Sequence, residues 1–423
     1  MLRRNPLLPI LLVLKLSSCV TVHRAPEPVS ARWWQGNLHT HSLWSDGDDF
    51  PEMITDWYQR HGYDFLAISD HNTLAAGERW IKVTGHPTRL KAYQRYRERF
   101  GADWVEEKWV GDTLWVRLKP LSEYRRLFEK PGQFLLIQSE EISDRFEDKP
   151  VHVNAHNIVE KIEPQGGGSV REVLQRNIDA VLAQRERTGQ PMFPHVNHPN
   201  FQWAVTVEDL IPLKGEKFFE VYNGHPLVHN EGDALRPGMD RLWDILLAER
   251  LTLGESVMFG LATDDAHNYH EFRVGTSNPG RGWIMVRAPE LTADAIISAM
   301  ERGDFYATTG VMLRDIRREG DRITVEIEAE PGVEYTTQFI GTRRGYDRRS
   351  EPQVDPEGRP VSRKYSDEIG LVLAEVRGPI ATYRMRGDEL YVRAKVISSK
   401  PKANGYREEE VEVAWTQPFL PDR

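Results

Sequence analysis

The stretch Phe65-Leu66-Ala67-Ile68-Ser69-Asp70-His71 decides how the rest of this sequence is read. Phe65 to Asp70 reads as a strand, and its apolar run marks a parallel strand buried on both faces. It ends on a carboxylate and an imidazole. Working outward, the same pattern recurs. Gly36 to His41 reads as a strand end that closes on His39-Thr40-His41. Phe134 to Gln138 is a further strand candidate, and Glu140-Glu141 is read as closing it. Met192 to Asn197, Phe218 to Tyr222 and Phe259 to Thr263 are also strand candidates, the last followed by Asp264-Asp265-Ala266-His267.

Helix signals lie between these strands. Pro51 to His61 carries a proline in its first turn, Gly62 just past its end, and one apolar face of Met53, Ile54, Trp57 and Tyr58. Ser169 with Glu172 predicts a capping box for a helix to about Thr188, which Gly189 ends. Thr292 caps a helix through about Arg302. Alternation from Trp33 to about Asp304 predicts an α/β fold, either a barrel or a doubly wound sheet. After about Gly310 the pattern changes. Ile323, Val325 and Ile327, the run Tyr391 to Val396, and Val411 to Val413 alternate with charged residues. That period of two predicts a small antiparallel β domain with one wet face. The charged stretch Arg343 to Lys364 reads as a long loop.

The chain has 423 residues, 39% hydrophobic and 28% charged, which fits a globular protein with a core and excludes general disorder. Net charge is −9, from 55 basic and 64 acidic residues, so nucleic acid is not a favoured partner. The single cysteine, Cys19, excludes an internal disulfide, a zinc ribbon and an iron–sulfur cluster. At the N-terminus, Arg3 and Arg4 precede a short apolar run, Leu7 to Leu14, and then Leu16-Ser17-Ser18-Cys19, a sequence similar to the bacterial lipobox. The expected organisation is a signal peptide over 1–18 and a tether over 19–32. A barrel follows over 33–310, and a β-rich region over 311–423. Lipid on Cys19 would hold the mature chain at the bacterial cell envelope, on the periplasmic face of a membrane or outside the cell.

The polar residues at the strand ends carry the chemistry. In His39-Thr40-His41 the two imidazoles share one face of an extended chain and can grip one metal. Asp46 follows in Ser45-Asp46-Gly47, then Asp70-His71, Glu140-Glu141, His152 and His156. His195 and His198 sit in Pro-His-Val-Asn-His-Pro, and Asp265 and His267 come last. A core has no use for so many ionisable groups unless they are paired or bind metal. Nitrogen and carboxylate ligands without thiolates suit zinc, manganese or iron.

This ordered set resembles the PHP (polymerase and histidinol phosphatase) metallohydrolases, and within them the branch that includes carbaryl hydrolases. The resemblance covers about Trp33 to Gly310 and implies a distorted β/α barrel holding two or three divalent metals. It implies His39, His41 and Asp265 on a first metal, with Glu141 bridging to a second held by His152 and His198. It implies Asp46, His71 and His267 on a third. Glu140 remains an alternative to Glu141, His156 to His152, and His195 to His198. Asp70 is expected to orient the site by hydrogen bonding, and His267 to be able to protonate a leaving group.

The expected activity is hydrolysis, foremost of a small phosphate ester, by a hydroxide bridging the metals, since metal binding lowers a water's pKa to about 7. Cleavage of a carbamate, amide or carboxyl ester at the same metals is the second reading. A third is an envelope-binding protein with a structural metal site. Three further features are singled out. Glu78 to Gly132, with Trp80, Trp104, Trp109 and Trp115, is read as a lid or as a surface helical excursion. Arg281 is read as an anion-binding fork or a salt bridge. Asn223-Gly224-His225 is read as pocket lining.

Overall fold

The computed structural model describes residues 31–422. The signal segment, Cys19 and nearly all of the tether lie outside the described residues. The first part of the chain runs β1 (Arg32–Asn37), α1 (Pro51–Arg60), β2 (Phe65–Ile68), β3 (Arg79–Lys82), α2 (Pro87–Phe100), β4 (Glu107–Val110), β5 (Thr113–Leu118), α3 (Leu121–Phe128), β6 (Leu135–Phe146) and β7 (Lys149–His156). It continues with α4 (Val170–Thr188), β8 (Phe193–Val196), α5 (Val207–Leu210), β9 (Phe218–Asn223), α6 (Met239–Thr252), β10 (Phe259–Thr263), β11 (Trp283–Ala288), α7 (Ala293–Glu301) and β12 (Phe305–Thr308). Nine strands follow: β13 (Leu313–Glu319), β14 (Arg322–Ile327), β15 (Tyr335–Arg343), β16 (Ser350–Val354), β17 (Pro360–Tyr365), β18 (Leu371–Arg377), β19 (Ile380–Arg384), β20 (Glu389–Pro401) and β21 (Val411–Thr416).

The fold is mixed α/β. Among the described residues the largest sheet has 13 strands, in the order β10-β9-β8-β7-β6-β2-β1-β11-β12-β21-β20-β15-β18. The pairs β1–β2, β2–β6, β8–β9 and β9–β10 are parallel, while β7 runs antiparallel to both β6 and β8. The sheet curls until one end meets its middle. Thr40, just past β1, bridges in parallel to Ala266, just past β10. There the His41 N–H donates to the Ala266 carbonyl at 2.9 Å and the Asp265 N–H to the His39 carbonyl at 3.0 Å. The polar ends of β1 and β10 are thereby brought side by side.

Local chemistry explains the helices that pack on this sheet. Pro51 opens α1, and Gly62 follows it at φ 82°, a conformation glycine adopts without strain. At α4 the Ser169 hydroxyl accepts from the Glu172 N–H at 3.1 Å, and Gly189 ends the helix in the left-handed conformation. The capping box is only half formed, because the Glu172 carboxylate reaches back to the Gly168 N–H rather than to that of Ser169. Thr292 caps α7 by accepting from the Ala295 N–H. One core joins the first part of the chain to its C-terminal strands: Leu174 and Ile178 of α4 and Trp243 and Leu246 of α6 share a cluster with Tyr391 and Trp415. A buried ion pair reinforces that join, with Arg393 of β20 donating to Asp244 of α6 through two bonds of 2.8 and 2.7 Å.

Four expectations are corrected. Arg343 to Lys364 is not a loop, because β16 and β17 pair within it as an antiparallel hairpin. Its charged, Pro- and Gly-bearing composition hid the pairing. The insertion Glu78 to Gly132 is not a helical excursion. It holds the antiparallel sheet β3-β5-β4 beside α2 and α3, with Ile81, Tyr96, Val116 and Leu118 in its core and Trp109 63% exposed. Glu140-Glu141 does not close a strand, since β6 continues to Phe146 and Glu141 lies opposite Asn154 of β7. Arg281 is neither an anion fork nor a salt bridge. It is fully buried, and its guanidinium donates to the carbonyls of Gly224, Arg273, Thr276, Asn404 and Gly405 and to the Asn278 side chain. Through these carbonyls it ties three segments together.

The Asp244–Arg393 pair generates a prediction. Asp244→Ala strips a buried guanidinium of its two shortest carboxylate bonds, leaving it Asp240 at 3.2 Å, and should lower stability by about 3 kcal/mol. Urea unfolding measures it, and a loss below about 1 kcal/mol would show that the pair does not join the two parts.

Candidate metal centre

Glu141 is fully buried, and imidazoles reach both of its oxygens. His39 Nε2 lies 3.4 Å, His41 Nε2 3.3 Å and His71 Nδ1 2.9 Å from Oε2. On the other side, His152 Nδ1 lies 2.8 Å and His198 Nε2 3.6 Å from Oε1, which also accepts from the Asn197 side chain at 2.8 Å. Asp265 completes the first set, its Oδ1 standing 3.3 Å from His39 Nε2 and 3.1 Å from His41 Nε2. Asp46 gathers the third, with His71 Nε2 at 3.6 Å and His267 Nε2 at 3.4 Å. His41, Asp46, His71 and His267 have donor atoms close enough to share one cation, as do His39, His41 and Glu141, and His71, Glu141 and His152.

Local structure aims these side chains. His39 and His41 leave β1 on one face of extended chain. Gly47 lets the next loop fold back, because a Cβ there would stand 2.3 Å from the His41 carbonyl oxygen. Asp70 holds that loop. Its carboxylate accepts from the Ser42 N–H at 2.8 Å, the Ser42 hydroxyl at 2.7 Å and the Ser45 hydroxyl at 2.6 Å. Asp70 contacts this loop and acts through it on Asp46. His198 and Asp265 both have positive φ, 22° and 49°, a strained backbone that tertiary structure must hold.

The residues left open by spacing part company in space. Glu140 turns away from the cluster, its Oε1 accepting from the Ile162 N–H at 2.5 Å. His156 and His195 lie one layer deeper than His152 and His198, bonded to each other at 2.9 Å. His225 sits beside the cluster, its ring 5.6 Å from that of His267. Spacing missed Glu220. Its Oε1 lies 2.7 Å from His39 Nδ1, and its Oε2 accepts from the His198 N–H at 2.7 Å. The signal was present, since Glu220 is a carboxylate inside the otherwise apolar run Phe218 to Tyr222. Asn197, which steadies Glu141, was also missed.

Charge in the cluster is arranged for cations. Burial works against ionisation of Glu141, Asp265, Glu220 and Asp46, yet the surrounding imidazoles hold all four below the ordinary carboxylate range. Burial works against protonation of His39, but Asp265, Glu220 and Glu141 hold it well above the ordinary histidine value. In the same way Glu141 and Asp46 raise His71 to about 9, and Asp46 and Asp265 raise His267. His41 is pushed down to about 3 by burial and by its neighbours His267 and His71. Away from the cluster, burial, with Glu163 nearby, lifts Glu140 to about 7. Two nitrogens fit a cation directly. His41 Nδ1 is buried without a hydrogen-bond partner, and His152 Nδ1, though 2.8 Å from Glu141, lacks the alignment of one. Unpartnered buried polar atoms are costly, and a cation would satisfy both. Clefts of about 780 Å³ beside Asp46 and about 510 Å³ beside His152 lead to the cluster.

No family model and no curated protein matches the sequence. Among solved structures, the chain is similar to a two-domain protein from Bacteroides vulgatus containing a predicted PHP-like metal-dependent phosphoesterase, at 14% identity over 94% of this chain and 97% of that one, TM-score 0.38. It is similar to a candidate metal-dependent phosphoesterase from Bifidobacterium adolescentis, at 14% identity over 63% and 96%, TM-score 0.29. It is also similar to an amidohydrolase from Chromobacterium violaceum with bound sulfate and no metal, at 13% identity over 55% and 87%, TM-score 0.27.

The electrostatics generate a pH prediction. His39, His71 and His267 are raised in the folded metal-free chain, so the stability they contribute is fully present below the unfolded value of 6.5. It is lost as pH rises through the folded values, about 9 for His71. Chelator-stripped protein should therefore lose stability between pH 6.5 and 9, measured by urea unfolding. A gain across that window would contradict the charge arrangement.

Proposed function

We propose that this chain is a metal-dependent hydrolase of the PHP type, acting as a phosphoesterase on a small phosphate ester. One observation carries the reading: the two oxygens of Glu141 face two different sets of imidazoles, His39, His41 and His71 on one side and His152 and His198 on the other. A purely structural site needs no carboxylate shared in this way. The Thr40–Ala266 bridge supports a distorted β/α barrel made of β1, β2 and β6 to β10. On this reading residues 33–310 are the catalytic barrel and 311–423 an appended β region.

In the proposed centre His39, His41 and Asp265 would hold one cation, His152 and His198 a second, and Asp46, His71 and His267 a third, with Glu141 able to serve the first two. Two to three divalent cations (zinc, manganese or iron) would supply Lewis acidity and make a water acidic enough to attack near neutral pH. The protein's own part is positional. Asp70 fixes the Asp46 loop, and Asn197 fixes Glu141. His225 accepts from the Leu227 N–H through Nδ1, and burial lowers it to about 4, so it is neutral with its proton on Nε2. There it can donate to a substrate oxygen as charge develops. His267, whose Nδ1 donates to the Asp265 carbonyl at 2.9 Å, would return a proton to the leaving group from Nε2 only where the third cation is not bound.

The test is a panel of p-nitrophenyl phosphate, bis-p-nitrophenyl phosphate and a p-nitrophenyl carboxyl ester, with added manganese or zinc. Turnover of a phosphate ester is expected. Turnover of the carboxyl ester alone would move the activity to carboxyl chemistry, and no turnover with metal bound would favour a structural site. On the active substrate, Glu141→Gln should abolish activity and lower metal content, whereas Glu140→Gln should do less. His225→Ala should lower kcat by about 10² with its metals retained. Activity surviving Glu141→Gln would contradict the shared carboxylate.

We propose further that lipid on Cys19 tethers the chain to the bacterial envelope. The support is the lipobox-like Leu16-Ser17-Ser18-Cys19. The wild-type protein should fractionate with membranes and Cys19→Ala should not. A wild type that fractionates as soluble would overturn the tether.

A further inference from the structure

Two histidines that the proposed centre does not use, His156 and His195, lie fully buried in a line that starts in the core and ends at His39. The Ser139 hydroxyl lies 2.9 Å from His156 Nδ1. His156 Nε2 lies 2.9 Å from His195 Nδ1, and His195 Nε2 lies 3.2 Å from Glu220 Oε1. His39 Nδ1 reaches the same oxygen from the other side at 2.7 Å. Glu220 has further donors: the Thr263 hydroxyl at 2.8 Å, the His198 N–H at 2.7 Å and the Asn223 side chain at 2.8 Å.

We propose that the ionised Glu220 sets the tautomers of His39, His195 and His156 and so aims the His39 Nε2 lone pair at the cation position, which makes Glu220, His195 and His156 positioning residues of the centre. The logic is one of donors and acceptors. An ionised carboxylate only accepts, so both imidazole nitrogens facing Glu220 carry hydrogens. His39 is therefore protonated on Nδ1, which leaves Nε2 facing Asp265 and Glu141 as the nitrogen that can bind a cation. His195 is protonated on Nε2, so as a neutral ring its Nδ1 must accept, and the donor there is His156 Nε2–H. His156 Nδ1 in turn must accept, and the Ser139 hydroxyl, 2.9 Å from it and 3.4 Å from its other acceptor, the Ile137 carbonyl, supplies the hydrogen. One direction of donation satisfies every link with neutral rings at both inner positions. The opposite direction would set a lone pair against the carboxylate in the core, which is unfavourable.

Two observations agree independently. Burial holds His156 well below the ordinary histidine value and lowers His195, as neutral rings require. Glu220 also ties down the ends of β1, β8, β9 and β10 together, through His39, His198, Asn223 and Thr263. A metal-ligating histidine whose other nitrogen donates to a carboxylate is held in orientation and made more basic. Here that carboxylate is itself oriented by two further imidazoles.

The inference rests on the proposed cation centre only for what His39 does with its free nitrogen. Its test uses the full chain labelled with 15N-histidine, metal-free and zinc-loaded, with long-range proton–nitrogen correlation to assign tautomers. His156 and His195 should be neutral and Nε2-protonated in both states, and His39 Nδ1-protonated with zinc bound. Chelator competition should show zinc affinity weakened about 10- to 100-fold by Glu220→Gln and less by His156→Phe, which keeps a ring two links further out. His195 or His156 found cationic or Nδ1-protonated would overturn the relay, as would unchanged affinity in Glu220→Gln. A chain that binds no zinc yet shows the expected inner tautomers would defeat the cation centre and leave the relay standing. Tight zinc binding with His195 protonated on Nδ1 would do the reverse. Should Glu220→Gln not fold, the wild-type tautomers alone decide.

Discussion

A carboxylate with no exposure to water and imidazoles on both of its oxygens is the constraint on which this molecule is built. Glu141 sits inside β6 rather than at its end, where the backbone cannot move to relieve crowding. Buried carboxylates as close as Glu141, Asp265 and Glu220 can stay ionised only if positive charge balances them. In the metal-free chain protons do so, on His39, His71 and His267. The same positions suit divalent cations, which compete with those protons for the same lone pairs.

The architecture serves that constraint. Parallel strands deliver His39, His41, His71, Asp265 and His267 to one region, because β1, β2 and β10 end there and the Thr40–Ala266 bridge closes the gap between first and last. The antiparallel β6–β7 pair supplies Glu141 and His152 from within strands, Ser143 standing opposite His152. Around these lies a layer that holds without facing the centre: Asp70 on the Asp46 loop, Asn197 on Glu141, and Glu220 on His39 and the His198 backbone.

Much of this was legible in the sequence, for physical reasons. The apolar runs at Phe65, Phe218 and Phe259 can only be buried strands, and the ionisable residues after Phe65 to Ile68 and Phe259 to Thr263 have no core use, so their grouping was readable. What stayed open depended on partners that spacing does not encode. Glu140 and Glu141 point to opposite faces of β6, and only the turn of Ile162 toward Glu140 separates them. His156 and His152 share a face of β7, and the difference is depth. Glu220 was missed because Phe218 to Tyr222 was read only as a strand candidate. Residues 343–364 were misread because strands that pair mainly with each other can be charged on both faces.

The shared carboxylate makes a definite demand on composition. Protein purified after growth with added zinc or manganese, examined by elemental analysis, should carry two to three divalent transition-metal equivalents per chain. Less than one equivalent would mean that Glu141 and its neighbouring carboxylates are balanced by protons on the imidazoles alone, and the centre would not be a metal centre.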